Sequence, residues 1–178
     1  MGRIDSRKKG ARGERKACEV LKAWTGYDFH RVPQSGGLHW KSANTEGDLV
    51  CGDPLHRFNF SIEVKNYRDI NFEHLLMPGV KSKITDEFWP QCLADSQRAK
   101  KIPLLLMRYD GIRPGDLFFA VMLNEHYVAL KTNGAQFKKK FPYLKCGKLI
   151  IMNSYHIFKA DYNKVDLASK TIISKQWT

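Results

Sequence analysis

Apolar positions along this chain change period several times, and each change marks an element. Between Gly13 and Gly26, Ala17, Val20, Leu21 and Trp24 recur at i, i+3, i+4 and i+7, which predicts an amphipathic helix. Gly10 and Gly13 argue that it begins no earlier than Gly13, and Gly26 ends it. Residues 1–10 then read as a basic arm, for which a solvated, disordered tail is one reading. Phe29 to Val32 predicts a short strand, and Pro33, Gly36 and Gly37 open a polar loop running to about Thr45. A loop of that length usually carries a function.

A two-residue period follows in "NFSIEVKNYRD", residues 59 to 69, with Phe60, Ile62 and Val64 on one face and Glu63 and Lys65 together on the other. In a strand the latter two emerge side by side, about 7 Å apart. Glu46 to Cys51 and Arg57 to Lys65 read as a hairpin turning around "GDPLH", which would set Asp48 close to opposite Glu63. A connection with a short helix near Phe72 to Met77 comes next. Trp89-Pro90 marks a helix start, because proline is tolerated in a first turn. That helix should reach about Lys101, with Cys92, Leu93, Ser96 and Ala99 inward. "IPLLLMRY" and "LFFAVML", separated by the turn "DGIRPGD", are near-continuous apolar strands. Strand, helical crossover and buried strand predict an α/β fold with a mixed sheet. From His126 onward the pattern predicts two or three more strands, including Lys148 to Met152, and an indistinct C-terminal tail. With no repeat and no second core, residues 1–178 read as one domain, residues 124–178 being its extension.

Composition sharpens the functional picture more than the structural one. The chain has 178 residues, of which 43% are hydrophobic, enough for a core without staples. Its 30 Lys and Arg against 18 Asp and Glu leave a net charge of +12, and such an excess is commonly balanced by an anionic partner, nucleic acid first among them. No apolar run approaches the roughly 20 residues of a spanning helix, and no signal-peptide pattern is present. A soluble, intracellular (cytoplasmic) protein is therefore expected, without membrane partners. Cys18, Cys51, Cys92 and Cys146 are scattered and the six histidines lack close pairs, so free thiols are expected and a zinc site is not.

Three acids and a lysine are the candidate chemistry. Glu63 beside Lys65 suits metal-assisted catalysis, and equally a plain surface ion pair. Asp48 facing Glu63 tilts the balance, since facing carboxylates repel unless a cation lies between them. Glu14 precedes Ala17 by three, Cys18 by four and Leu21 by seven, which puts it in line with the apolar stripe. It either meets a cation there or, as a first-turn acid, favours the helix N-terminus.

The ordered set "GERKACEVLK", "HRVPQSGG", "GDLV", "IEVK" and "WPQCLADSQRAKKIPLLLMR" resembles the P-D…(D/E)-x-K nuclease superfamily, in particular the archaeal-type Holliday junction resolvases also found in some phages. The resemblance covers roughly residues 10–123, and Gly47 stands where the superfamily name has proline. It implies a restriction-endonuclease-like α/β fold, a mixed central β-sheet flanked by helices. It also implies that Asp48, Glu63 and the Val64 carbonyl hold Mg²⁺, for which Mn²⁺ can substitute, with Glu14 at a second metal or its waters. Lys65 would orient or deprotonate the attacking water, and Gln91, rather than Gln97 on the same helix, would support the centre. Arg15, Arg31 and Ser35 match positions that contact phosphate or shape the cleft.

In the loop, Lys41 can meet phosphate and Trp40 offers a stacking face or wedge, though Trp40 could equally be a dimer contact or core residue. Lys138 to Lys140 either extends a backbone-tracking surface or is a solvated face. The expected function is a structure-selective endodeoxyribonuclease that makes paired symmetric nicks in four-way DNA junctions as a homodimer, with no small-molecule cofactor. A repair or restriction-like endonuclease acting on flap, nicked or duplex DNA is the alternative. A non-catalytic DNA-binding protein is less favoured, because all three acids and the lysine are present.

Overall fold

A computed structural model describes residues 6–32, 47–112, 118–137 and 141–177. The order is α1 (Ser6–Thr25), β1 (Phe29–Arg31), β2 (Leu49–Cys51), β3 (Phe60–Tyr67), α2 (Trp89–Ala99), β4 (Ile102–Tyr109), β5 (Phe119–Leu123), α3 (Asn124–Thr132), β6 (Tyr143–Cys146), β7 (Leu149–Asn153), α4 (Tyr155–Phe158) and α5 (Tyr162–Gln176). Among the described residues, β1 and β2 form a small antiparallel sheet, and a five-stranded sheet has the order β3-β4-β5-β7-β6. β3 and β4 are parallel, joined by the α2 crossover, and the remaining neighbours are antiparallel. This is the mixed, helix-flanked sheet of the restriction-endonuclease-like α/β fold.

Strand periodicity sorts the two faces of the central sheet. Phe60, Ile62 and Val64 of β3 and Leu104 and Leu106 of β4 join a core with α1, α4 and α5. Leu105 and Met107 face the other way, against Phe88, Trp89 and Cys92 around α2. Glu63, Lys65 and Tyr67 alternate with the first set, so they lie on the α2 face.

Four expectations need correction. β2 does not form a hairpin with β3: it pairs with β1, Phe29 opposite Cys51 and Arg31 opposite Leu49, while β3 takes its ladder from β4. A burial-driven parallel pairing outcompetes the local turn. α1 starts at Ser6, so five of the arm residues are helical and Gly10 and Gly13 lie inside the helix. Packing explains Gly13: a Cβ there would come within 2.9 Å of Asn66 Cβ on β3. Asn66 Nδ2 also donates to Lys9 O at 3.0 Å, fixing helix to strand. Helical backbone before α2 begins earlier than Trp89, as a π-helical turn over Ile84–Phe88 whose Ile84 and Phe88 are buried. Finally, the C-terminal stretch is a 15-residue helix, α5, capped by Asp161 accepting from Asn163 N, and Asn124–Thr132 is also helical. The expected helix near Phe72 is a 3₁₀ turn over Phe72–Leu75.

Candidate active site

Asp48 sits where the small sheet meets the free edge of β3. Its backbone N–H donates to Ile62 O at 2.8 Å, and Val32 N–H donates to its carbonyl at 2.9 Å. Its carboxylate Oδ2 accepts from Val64 N–H at 2.7 Å. The side chain and backbone of Asp48 thus occupy adjacent hydrogen-bonding groups of one strand edge. The Val64 carbonyl points to the same edge as its N–H, as strand geometry requires. Gly47, just before it, has φ +99°, and a Cβ there would lie 2.8 Å from Ile62 O. Proline cannot adopt that φ, which accounts for glycine at this position.

Glu63 is the least satisfied polar group nearby. It is 2% exposed, and neither carboxylate oxygen has a hydrogen-bond partner. Lys65 Nζ lies 2.6 Å from Oε1 as a close ion pair. Burial, reinforced by Asp48, pushes Glu63 from 4.5 up to about 7. Burial also pushes Asp48 from 3.8 up to about 6, against the Val64 N–H bond and with help from Glu14. The surface-ion-pair reading of Glu63 and Lys65 is therefore excluded by burial: a surface pair would leave its acid solvated.

Lys65 reaches from β3 to α2. Its ammonium donates to Gln91 Oε1 at 2.9 Å and lies 5.8 Å from the centre of the Phe88 ring. Burial alone would lower its pKa, but Glu63 and then Asp48 outweigh it, so the net shift is upward and the group stays charged. Between the two glutamines considered, the geometry selects Gln91.

Glu14 lies in the third turn of α1, not the first, and is buried in line with Ala17 and Leu21. The helix-dipole explanation therefore fails. Glu14 pairs with Arg31 Nε and acts electrostatically on Asp48. Arg31, expected on phosphate, is thus tied to an acid of the centre, and Arg15 is exposed on α1. Ser35, Trp40 and Lys41 lie outside the described residues, as do Lys138 to Lys140. Sequence reasoning missed Asp95, which acts on both Asp48 and Glu63 and pairs with Arg98. Its position one helical turn after Gln91 was the available signal.

Among the described residues, no three His, Cys, Asp or Glu side chains come close enough to cage an ion by themselves. A hard divalent cation does not need such a cage, since one or two carboxylates with backbone oxygen, water and phosphate suffice. Two adjacent acids, one of them buried without donors, fit that donor set.

An aspartate just before β2, held on the edge of β3, followed by glutamate and lysine on β3 of a parallel β3–α2–β4 unit, defines a PD-(D/E)XK-type endonuclease, a class that typically uses divalent metals. The family described as "Phage putative PDDEXK endonuclease" matches residues 5–170, and the chain belongs to it. The chain is also similar to Protein D14 of Escherichia phage T5, 32% identical over 108 residues. That match covers 60% of this chain and 66% of the phage protein, just under two thirds of its length. No solved structure matches the chain.

Proposed function

We propose that the protein is a Mg²⁺-dependent endodeoxyribonuclease that resolves four-way DNA junctions by paired symmetric nicks, acting as a homodimer inside the cell, in the host cytoplasm if phage-encoded. The observation that carries the nuclease reading is the buried Glu63 carboxylate, without hydrogen-bond donors, beside Asp48 and in ion-pair contact with Lys65. A net charge of +12 supports a polyanionic substrate. The junction itself rests on the resemblance of the ordered motifs. Two symmetric cuts need two such centres, hence the dimer. No helix among the described residues is long and apolar enough to cross a membrane.

In this reading Asp48, Glu63 and the Val64 carbonyl hold the metal, with Glu14 at its waters or at a second ion. When bound, the metal lowers the pKa of a water and neutralises charge on the phosphate and leaving oxygen. Lys65, kept charged by Glu63, donates to the attacking water and to the developing negative charge instead of removing a proton. Gln91 restrains the Lys65 ammonium, and the Val64 N–H restrains Asp48. Arg31 holds Glu14, while Arg15, Ser35, Trp40 and Lys41 contact the DNA.

The second reading keeps the centre and changes the substrate to flap, nicked or duplex DNA, and membership of the endonuclease family favours it equally. Cleavage of a labelled four-way junction beside linear duplex, flap and splayed-arm DNA, with Mg²⁺ and with EDTA, separates the two. Paired nicks in the junction alone are the expected result. Cutting of flap or linear DNA transfers the protein to a repair or restriction-like role.

A further inference from the structure

Beyond Lys65 the α2 face of β3 continues to Tyr67, and there the surface opens into a cavity of about 190 Å³. Tyr67 and Phe88, whose rings pack on each other with centroids 4.8 Å apart, line its aromatic side. Asp69, Asn71, Lys81 and Lys83 stand exposed around the rim. Phe88 belongs both to this cavity and to the surroundings of Lys65, whose ammonium is 5.8 Å from its ring. Tyr67 follows Lys65 by two on the same face, so the cavity begins about 7 Å along the strand from the lysine.

We infer that this cavity receives one unpaired pyrimidine base of the substrate DNA, next to the scissile phosphate. The inference rests on the nuclease reading and extends it to what the enzyme selects. Size favours a small occupant: a cavity of roughly 150 Å³ accepts a benzene ring, so this one has room for a single six-membered ring. Chemistry limits it further. Aromatic walls favour a flat ring by stacking, Asp69 and Asn71 offer an acceptor and an amide to a polar ring edge, and Lys81 and Lys83 offer cations to the phosphates on either side. In the free protein Lys83 Nζ lies 5.3 Å over the Tyr67 ring, so an entering base takes the place of that ammonium, which is then free to meet a flanking phosphate. A base in a continuous duplex is covered by its neighbours and cannot enter a walled cavity, whereas one at a branch point, bulge or flap can.

Binding in EDTA, where no cleavage occurs, tests this directly with the full chain. The probes are a duplex with one unpaired thymine, the same duplex with an abasic nucleotide at that place, and the fully paired duplex. The wild type should bind the thymine bulge about tenfold more tightly than either of the others. Tyr67→Leu should abolish most of that preference and leave affinity for paired DNA within about twofold. Should Y67L not fold, Asn71→Ala serves: Asn71 is exposed and makes no side-chain cap to the turn after it, and its loss should reduce the preference about threefold. Cleavage of the junction and duplex panel with Mg²⁺ is run in parallel. DNA that is cut without any thymine preference overturns the cavity assignment alone. Failure to bind or cut any DNA overturns the nuclease reading and this inference with it. Free thymidine monophosphate should compete poorly; tight mononucleotide binding without a bulge preference would make the cavity a free-nucleotide site and overturn the proposal.

Discussion

The approach to β3 and its C-terminal half each carry buried polar groups, and they treat them in opposite ways. Just before the strand, Asn59 Nδ2 donates to Asp166 Oδ1 at 3.0 Å and to Ser169 Oγ at 2.9 Å on α5. Nearby, His56 Nε2 and the Tyr162 hydroxyl are 2.6 Å apart, and Tyr27 stacks on the His56 ring at 4.0 Å. These groups satisfy one another and tie the strand to the C-terminal helix. Four residues after Asn59, Glu63 is equally buried but has only the Lys65 ammonium beside Oε1 and no hydrogen-bond partner on Oε2. A satisfied network stabilises a fold, while a buried carboxylate short of hydrogen-bond donors costs stability even beside a cation such as Lys65. The first network is complete without a ligand, and the second leaves room for one.

The comparison breaks most visibly in the rate of cleavage. Asp48→Ala or Glu63→Ala should reduce single-turnover cleavage by at least about 10³-fold while junction binding in EDTA persists. Asn59→Ala should leave the rate unchanged and lower the melting temperature, by roughly 3–8 °C, because it strips Asp166 and Ser169 of their shared donor. Comparable rate losses in both would erase the distinction between the two networks. Lys65→Ala should slow cleavage about 10²-fold with affinity little changed. An equal loss of affinity would make Lys65 a phosphate anchor.

Stability against pH sharpens the contrast further. Because the folded-state pKa of Glu63 is raised to about 7, and that of Asp48 to about 6, the metal-free protein binds more protons folded than unfolded between about pH 4 and 7. Their contribution to stability is therefore fully present below the unfolded values near 4 and is lost as pH rises through 6 and 7. Thermal melts in EDTA should show the melting temperature falling across that window. Glu63→Gln should flatten the fall and raise the melting temperature by roughly 5 °C at pH 8. A melting temperature in E63Q equal to or below that of the wild type at pH 8 would mean Glu63 is not strained. Smallest of all, Gln91→Ala should cost about tenfold in rate by releasing the Lys65 ammonium, with no effect on the Asn59 network.

What was legible in the sequence follows from the range of the forces involved. The alternation in β3, the apolar run of β4 and the crossover helix between them are local patterns, and they put Glu63 and Lys65 on one face of β3 and Gln91 on α2. Asp48 was placed near Glu63 for a partly wrong reason: among the described residues β2 forms its ladder with β1, and the bond from Asp48 N–H to Ile62 O and the carboxylate's grip on Val64 N–H bring it there. The start of α1 was hidden because Gly10 and Gly13 read as helix breakers until the close approach of Asn66 is known. α5 was hidden because its buried stripe includes Ala168 and Ser169, small or polar residues that weaken the helical period. Pairing between β1 and β2 spans a 17-residue gap, and nothing local encodes it. The Tyr67 cavity arises between a strand end and a loop, where no periodicity operates.

The most direct test of the central account is Mn²⁺ binding to the wild type and to E63Q, measured by calorimetry at pH 6 and pH 8. Carboxylates held near pKa 6 and 7 must lose their protons to take the ion. The wild type should therefore bind at least about tenfold more tightly at pH 8 than at pH 6, releasing protons as it does so, and E63Q should bind weakly at both. Equal binding by the two proteins, or binding insensitive to pH, would contradict the claim that Asp48 and Glu63 are the metal centre.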